Sequence, residues 1–172
     1  MRDPLADPAP LVRRVYAYVA YRLGDGPDAE DVTSEVFERA LRYGESYDPG
    51  KGDPIAWLIG IARRCVASAA LSSRPPEQSI HDVQDEPDPA GPAVDRLAVR
   101  AAVASLDERD RELIALRYGA DLTARQIAET LELRTNAVEV ALHRALGRLR
   151  DLLGEREVEG PESPPLEQKA GL

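Results

Sequence analysis

The chain has 172 residues, 43% of them apolar but only 5% aromatic, and 31 acidic against 22 basic side chains give a net charge of −9. That length holds one domain or two small ones with real cores. A lone cysteine, Cys65, excludes an internal disulfide framework and a cysteine-cluster zinc site, while His81 and His143 lie too far apart to outline a metal site. The N-terminus, MRDPLADPAP, lacks the apolar stretch of a secretory signal.

Alanine and leucine supply much of the apolar volume, and no alternating β-branched runs occur, so the expected fold class is all-α. Residues 1–7 read as a disordered N-terminus. Val12, Val15, Tyr16, Val19 and Leu23 then mark one face of a first helix, stopped by Gly24 and Gly26. Pro27-Asp28 opens a second, with acids in its first turn to complement the helix dipole. Its buried stripe is expected to hold Val32, Val36, Phe37, Ala40 and Leu41. Asp31, Glu35 and Glu38 line another face, either as a docking row for a basic partner or as a solvated surface.

A glycine- and proline-rich loop, Gly44–Pro54, follows, and Asp53-Pro54 is an N-cap and N1 pair for a third helix. Ile55, Leu58, Ile59, Ala62, Val66 and Ala69 form its apolar stripe. Trp57, Arg64 and Ser68 share a neighbouring face, where an aromatic beside a guanidinium suits unpaired bases and phosphates. A rim position for the tryptophan is the equal alternative. Arg63-Arg64 interrupts the longest apolar stretch, so no membrane span is expected, and the chain reads as cytoplasmic.

Residues 74–95 carry one Arg against six acids, and five prolines fall in 74–92. This is the signature of a flexible acidic linker. It separates a domain of residues 8–73 from one of residues 93–153. In the second, Val94, Leu97, Ala98 and Ala101 start a helix, and Asp107 caps the next, which buries Leu113, Ile114 and Leu116. The tail, 154–172, reads as disordered.

Leu122–Arg150 holds the chain's most informative pattern. Thr123 and Gln126 fit a capping box, and Ile127, Ala128 and Leu131 face inward. After a turn, Asn136 with Glu139 offers a second N-cap and N3 partner. Val138, Leu142, Ala145, Leu149 and Leu152 then form an apolar stripe at spacings of four, three, four and three. The polar remainder, with Arg134, His143, Arg144 and Arg148, is what a helix-turn-helix offers to a groove. An antiparallel helix pair with solvated arginines has the same period. The segment has five Arg against three Glu, so the acidity of the chain sits elsewhere.

Two small helical domains, an acidic linker and a C-terminal helix-turn-helix resemble a bacterial RNA polymerase sigma factor of the extracytoplasmic-function group (group IV of the sigma-70 family). DAEDVTSEVFERAL (Asp28–Leu41) is similar to the family's region 2.2, PIAWLIGIARR (Pro54–Arg64) to regions 2.3 and 2.4, and Leu106–Arg150 to region 4. The resemblance implies a specificity subunit without catalysis of its own. Asp31, Glu35 and Glu38, with Phe37 supporting, would dock on the clamp coiled coil of polymerase β′, and region 4 would meet the β flap. Tyr47, Lys51, Trp57, Arg63 and Arg64 would capture and hold the melted −10 strand, at an unstacking cost lowest at A·T steps. The helix of about Thr135–Arg150 would enter the −35 major groove. Arg125, Arg134, Thr135, Asn136, Glu139, His143, Arg144 and Arg148 are then the groove and phosphate contacts. A dedicated anti-sigma factor is a further partner that the family commonly has.

The chain departs from the family after Arg64, where CVASAALSS replaces a strongly basic helix end, and at Glu139 and Ala141, where Lys and Arg are frequent. Glu139 is either a capping-box acid or an acceptor for a cytosine amino group. The alternative function is a free-standing helix-turn-helix regulator with a dimerising or sensing domain. No nucleophile–base pair, metal cluster or phosphate-binding glycine loop can be named, so neither an enzyme nor a cofactor is expected.

Overall fold

The computed structural model describes residues 4–72 and 93–158, and side-chain surroundings in the second stretch from 96 to 154. The linker expected at 74–92 lies outside the described residues. What is described is all helix: α1 (Pro8–Leu23), α2 (Pro27–Arg42), α3 (Pro54–Ser72), α4 (Ala93–Ser105), α5 (Glu108–Ile114), α6 (Ala124–Leu131) and α7 (Thr135–Val158). A 3-10 turn at Gly44–Ser46 and a π-helical turn at Ala115–Gly119 complete the order. The loose tail expected from Gly154 is helical as far as Val158.

Local chemistry sets the helix ends. Proline stands in the first turn of both α1 and α2, where its missing N–H is no loss. Gly26 joins the two at φ 140°, a conformation that a side chain would oppose. Asp28 and Glu30 then face the positive end of α2, and Arg39 and Arg42 the negative end. Asp107 caps α5 by accepting the Asp110 N–H at 2.8 Å.

Helices α1, α2 and α3 pack as one unit around Val15, Val19, Val32, Val36, Leu58 and Ile59, each wholly or nearly wholly buried. Each such aliphatic contributes about 1.5–3 kcal/mol relative to exposure. By length and composition α3 could cross a membrane. Its Ile55, Leu58, Ile59, Ala62, Cys65 and Val66, however, are buried in this core. Leu41, expected in the same stripe, is 73% exposed. The inward side of α2 turns through Ala29, Val32, Thr33, Val36 and Ala40, and Leu41 lies one residue, about 100°, beyond it. Leu97 of α4 is likewise exposed, because α4 turns Ala102 and Val103 inward.

Helices α4–α7 form the second unit. Leu113, Leu116, Leu122, Ile127 and Val138 centre it, and Val103, Leu106, Ile114 and Ala145 make a smaller cluster under α4 and α7. The two units share one core through α1. Tyr18, absent from the expected face of α1, is fully buried, whereas Val12 of that face is 40% exposed. The reason is a second buried side of α1, against α5 and the π-turn. There Gly119 sits so close that a Cβ on it would lie 2.8 Å from both the N and Cα of Tyr18.

Candidate nucleic-acid interface

The acidic row lies on α2 away from the core. Asp31 and Glu38 are exposed, Glu35 is half-buried and pairs with Arg39 one turn on, and Phe37 packs half-buried against the core. Beyond the row, Leu41 and Tyr43 stand exposed at the end of α2. Sequence reasoning missed them as surface candidates, since apolar periodicity alone assigned Leu41 to the core.

The loop before α3 is shaped by its own polar groups. Asp48 Oδ1 accepts the Gly50 N–H at 2.9 Å, and the Tyr47 hydroxyl donates to the Gly52 carbonyl at 3.1 Å. The Tyr47 and Trp57 rings meet with centroids 5.5 Å apart and tilted by 54°. This aromatic pair, both members half-buried, gives the loop a stacking surface with Lys51 exposed beside it. Arg64 is exposed about two turns further along α3. Arg63 turns the other way: its Nε donates to Glu112 Oε1 at 2.9 Å and its Nη1 to the Thr130 carbonyl at 3.1 Å. The two arginines are thus not brought together.

The helix-turn-helix is α6 and α7. The capping box forms in full, with the Gln126 N–H donating to Thr123 Oγ1 at 3.2 Å and the Thr123 N–H to Gln126 Oε1 at 2.9 Å. Glu132 ends α6 in the left-handed region at φ 56°, and the Leu133 N–H closes back on the Ala128 carbonyl at 2.9 Å. Helix α7 then starts one residue before the expected cap. The Val138 N–H bonds the Arg134 carbonyl at 3.1 Å, which puts Asn136 inside the first turn. Asn136 is therefore not the N-cap, and the capping-box role for Glu139 falls with it. Val138 and Leu142 face the core, while Arg134, Thr135, Asn136, Glu139, His143 and Arg144 are all exposed. Glu139 and His143 also border a shallow open cleft with Arg117, Tyr118 and Thr123. Arg125 is exposed on α6 and pairs with Glu129. Arg148 is committed elsewhere, to Asp110.

Titratable groups mark the packing rather than a reaction centre. Burial, then the neighbouring Glu112 carboxylate, pushes the Tyr18 phenol far above its ordinary range. Burial pushes the Cys65 thiol up as well, in keeping with a core position. Among the described residues no group of histidines, cysteines and carboxylates could hold a metal ion.

Two helical units stand in this order, the second ending in a capped helix-turn-helix. Residues 9–74 match the family described as Sigma-70 region 2, and residues 96–149 that described as Sigma-70, region 4. The chain is 31% identical over 147 residues to the ECF RNA polymerase sigma factor SigL of Mycobacterium tuberculosis, across 82% of this chain and 83% of that one. It is 32% identical over 147 residues to the ECF RNA polymerase sigma factor BldN of Streptomyces coelicolor, with 81% of this chain but only 56% of BldN spanned. The chain belongs to the extracytoplasmic-function RNA polymerase sigma factors. Two solved structures share its fold. Sigma factor RpoE, in complex with the anti-sigma factor NepR from Bartonella quintana, superposes with a TM-score of 0.69 at 20% identity, across 85% of this chain and 93% of that one. CnrH, in complex with the cytosolic domain of CnrY, gives 0.61 at 21% identity, across 88% and 85%. A free-standing regulator is not favoured, because both sigma regions are matched in order.

Proposed function

We propose that this chain is a group IV sigma factor acting in the cytoplasm, where it joins core RNA polymerase and directs it to promoters without catalysing a step itself. Its working units are residues 8–73 and 93–153, with the helix-turn-helix at 122–150. Asp31, Glu35, Glu38 and Phe37 dock on the β′ clamp, and the second unit meets the β flap. The Tyr47–Trp57 pair with Lys51 and Arg64 holds the melted −10 strand, and Arg63, engaged with Glu112 and Thr130, stands apart from it. Arg134, Thr135, Asn136, Glu139, His143 and Arg144, with Arg125 at the margin, read or flank the −35 groove, while Arg148 is held by Asp110. Glu139, exposed on α7 and outside any cap, is the acceptor for a cytosine amino group. An anti-sigma factor is the regulating partner, by analogy with the complexes of RpoE with NepR and of CnrH with CnrY.

The observation that carries the reading is the exposed polar side of α7 on a helix whose other side is buried. A net charge of −9 leaves the chain little DNA affinity alone, and a polymerase supplies what it lacks. The test is binding of the labelled full chain to purified bacterial core polymerase without DNA. Tight one-to-one binding is expected, and Glu35→Arg should weaken it at least tenfold with helicity unchanged. A folded chain that does not bind overturns the reading.

A further inference from the structure

Over its first turns the outward side of α7 carries its polar groups at the flanks and an apolar line along the middle. The buried Val138, Leu142 and Ala145 fix the inward direction of the helix. At about 100° of turn per residue, Val140 and Gly147 both lie within roughly 20° of the opposite direction. The outermost line is therefore a valine, 44% exposed, followed two turns on by a residue with no side chain. Neither residue serves the fold. Valine and glycine are poorer helix formers than alanine, and a Cβ on Gly147 would meet nothing beyond its own helix backbone within 4 Å. Asn136 and Arg144, both exposed, stand about 40° to either side of Val140, and His143 stands about 60° away.

On an ordinary surface a single exposed valine has no consequence. Val140, however, is the middle of the side that enters the −35 groove in the function proposed above, so groove chemistry decides what it meets. Guanine, adenine and cytosine present acceptors and donors on their major-groove edges, and thymine alone presents an apolar group, its C5-methyl. An isopropyl group set against the other bases would strip a polar edge of water and give it no partner. We propose that Val140 is a specificity-determining residue, which selects a thymine in the −35 element through the C5-methyl group of that base. This rests on the sigma-factor reading above. The flanks suit the same place, since an Asn amide pairs with adenine and an Arg guanidinium with guanine or phosphate. The valine is the apolar reader between them. It carries no charge, so its contribution releases no counterions and does not fall with salt.

The test uses holoenzyme assembled from the full chain and purified bacterial core polymerase. Duplexes retained from a library randomised across the promoter should share a thymine at one −35 position. Replacing that thymine with deoxyuridine removes the methyl group alone. It should weaken binding about fourfold, the worth of one buried methyl group, and by the same factor from about 50 to 200 mM salt. With Val140→Ser, an exposed position whose helicity circular dichroism checks, the thymine and deoxyuridine duplexes should bind alike. No thymine preference, no penalty in the wild type, or a penalty undiminished in Val140→Ser each overturns the assignment. A folded chain that never joins polymerase sinks the sigma-factor reading and the assignment with it. Polymerase binding without DNA is measured first, so the two failures are told apart.

Discussion

Arg148 of α7 grips Asp110 at the start of α5, with Nη2 3.0 Å from Oδ1 and Nε on the other oxygen. The Asp110 side chain is 5% exposed, and Asp107, which caps the helix, accepts the Asp110 backbone N–H. Beside that carboxylate the Arg148 guanidinium is held charged even more firmly than usual. A residue that looks from sequence like one more groove arginine is therefore the strut between the last helix and α5.

Arg148→Gln should accordingly lower the thermal midpoint, since it leaves a buried carboxylate without its cation. Promoter selectivity at the −35 element should stay as it was. Differential scanning calorimetry and transcription from promoters with −35 substitutions check the two halves. A changed −35 preference with an unchanged midpoint would return Arg148 to the groove.

Trp57→Ala should weaken retention of a single-stranded −10 non-template oligonucleotide by the polymerase complex. One lost stacking platform is worth about 1–3 kcal/mol, hence roughly a 5- to 150-fold loss in affinity. Trp57→Phe should restore most of it, because the tilted contact with Tyr47 needs a ring and not an indole N–H. Equal losses for both variants would mean that the tryptophan acts through packing.

Glu132 occupies the left-handed region at φ 56° between α6 and α7. Replacing it with glycine should be neutral or stabilise by up to about 1 kcal/mol. Glu132→Val, with a branched Cβ in the same conformation, should cost about 1–2 kcal/mol. Urea unfolding measures both, and a valine variant as stable as the parent would refute the backbone argument.

Tyr16 is pushed up to about 12, by burial first and then by its hydrogen bond to Asp25. In the unfolded chain it ionises near 10. As pH rises the unfolded state loses this proton first, so the contribution to stability is whole below about 10 and drains away between 10 and 12. Ultraviolet titration of the protein against Tyr16→Phe isolates the group. Asp25→Asn should bring its midpoint back toward 10, and an unmoved midpoint would exclude Asp25 as a cause.

The parts legible in sequence are those fixed within a few residues. The Thr123–Gln126 box, the Asp107 cap, the acidic row on α2 and the stripe Val138–Leu142–Ala145 are local in origin, and all stand in the structure. Leu41 was misjudged because periodicity says which residues share a side, not where that side ends. Asn136 was misjudged by two residues, within the usual slack of a helix start. Glu112, Arg22, Tyr18 and Gly119 carried no readable signal. Their meaning depends on contacts such as Tyr18 with Glu112, 94 positions apart. Nothing in the spacing along α1 distinguishes a helix covered on one side from a helix covered on two.

That doubly covered α1 also bears on how the protein is made. Its first partners, α2 and α3, leave the ribosome soon after it. The residues that cover Tyr18, from Glu112 to Gly119, come about a hundred residues later. At about 5–20 residues per second, that is roughly 5–20 s of synthesis during which a tyrosine and its apolar neighbours face solvent. The nascent first unit thus presents a hydrophobic side while the residues that cover it are still being translated.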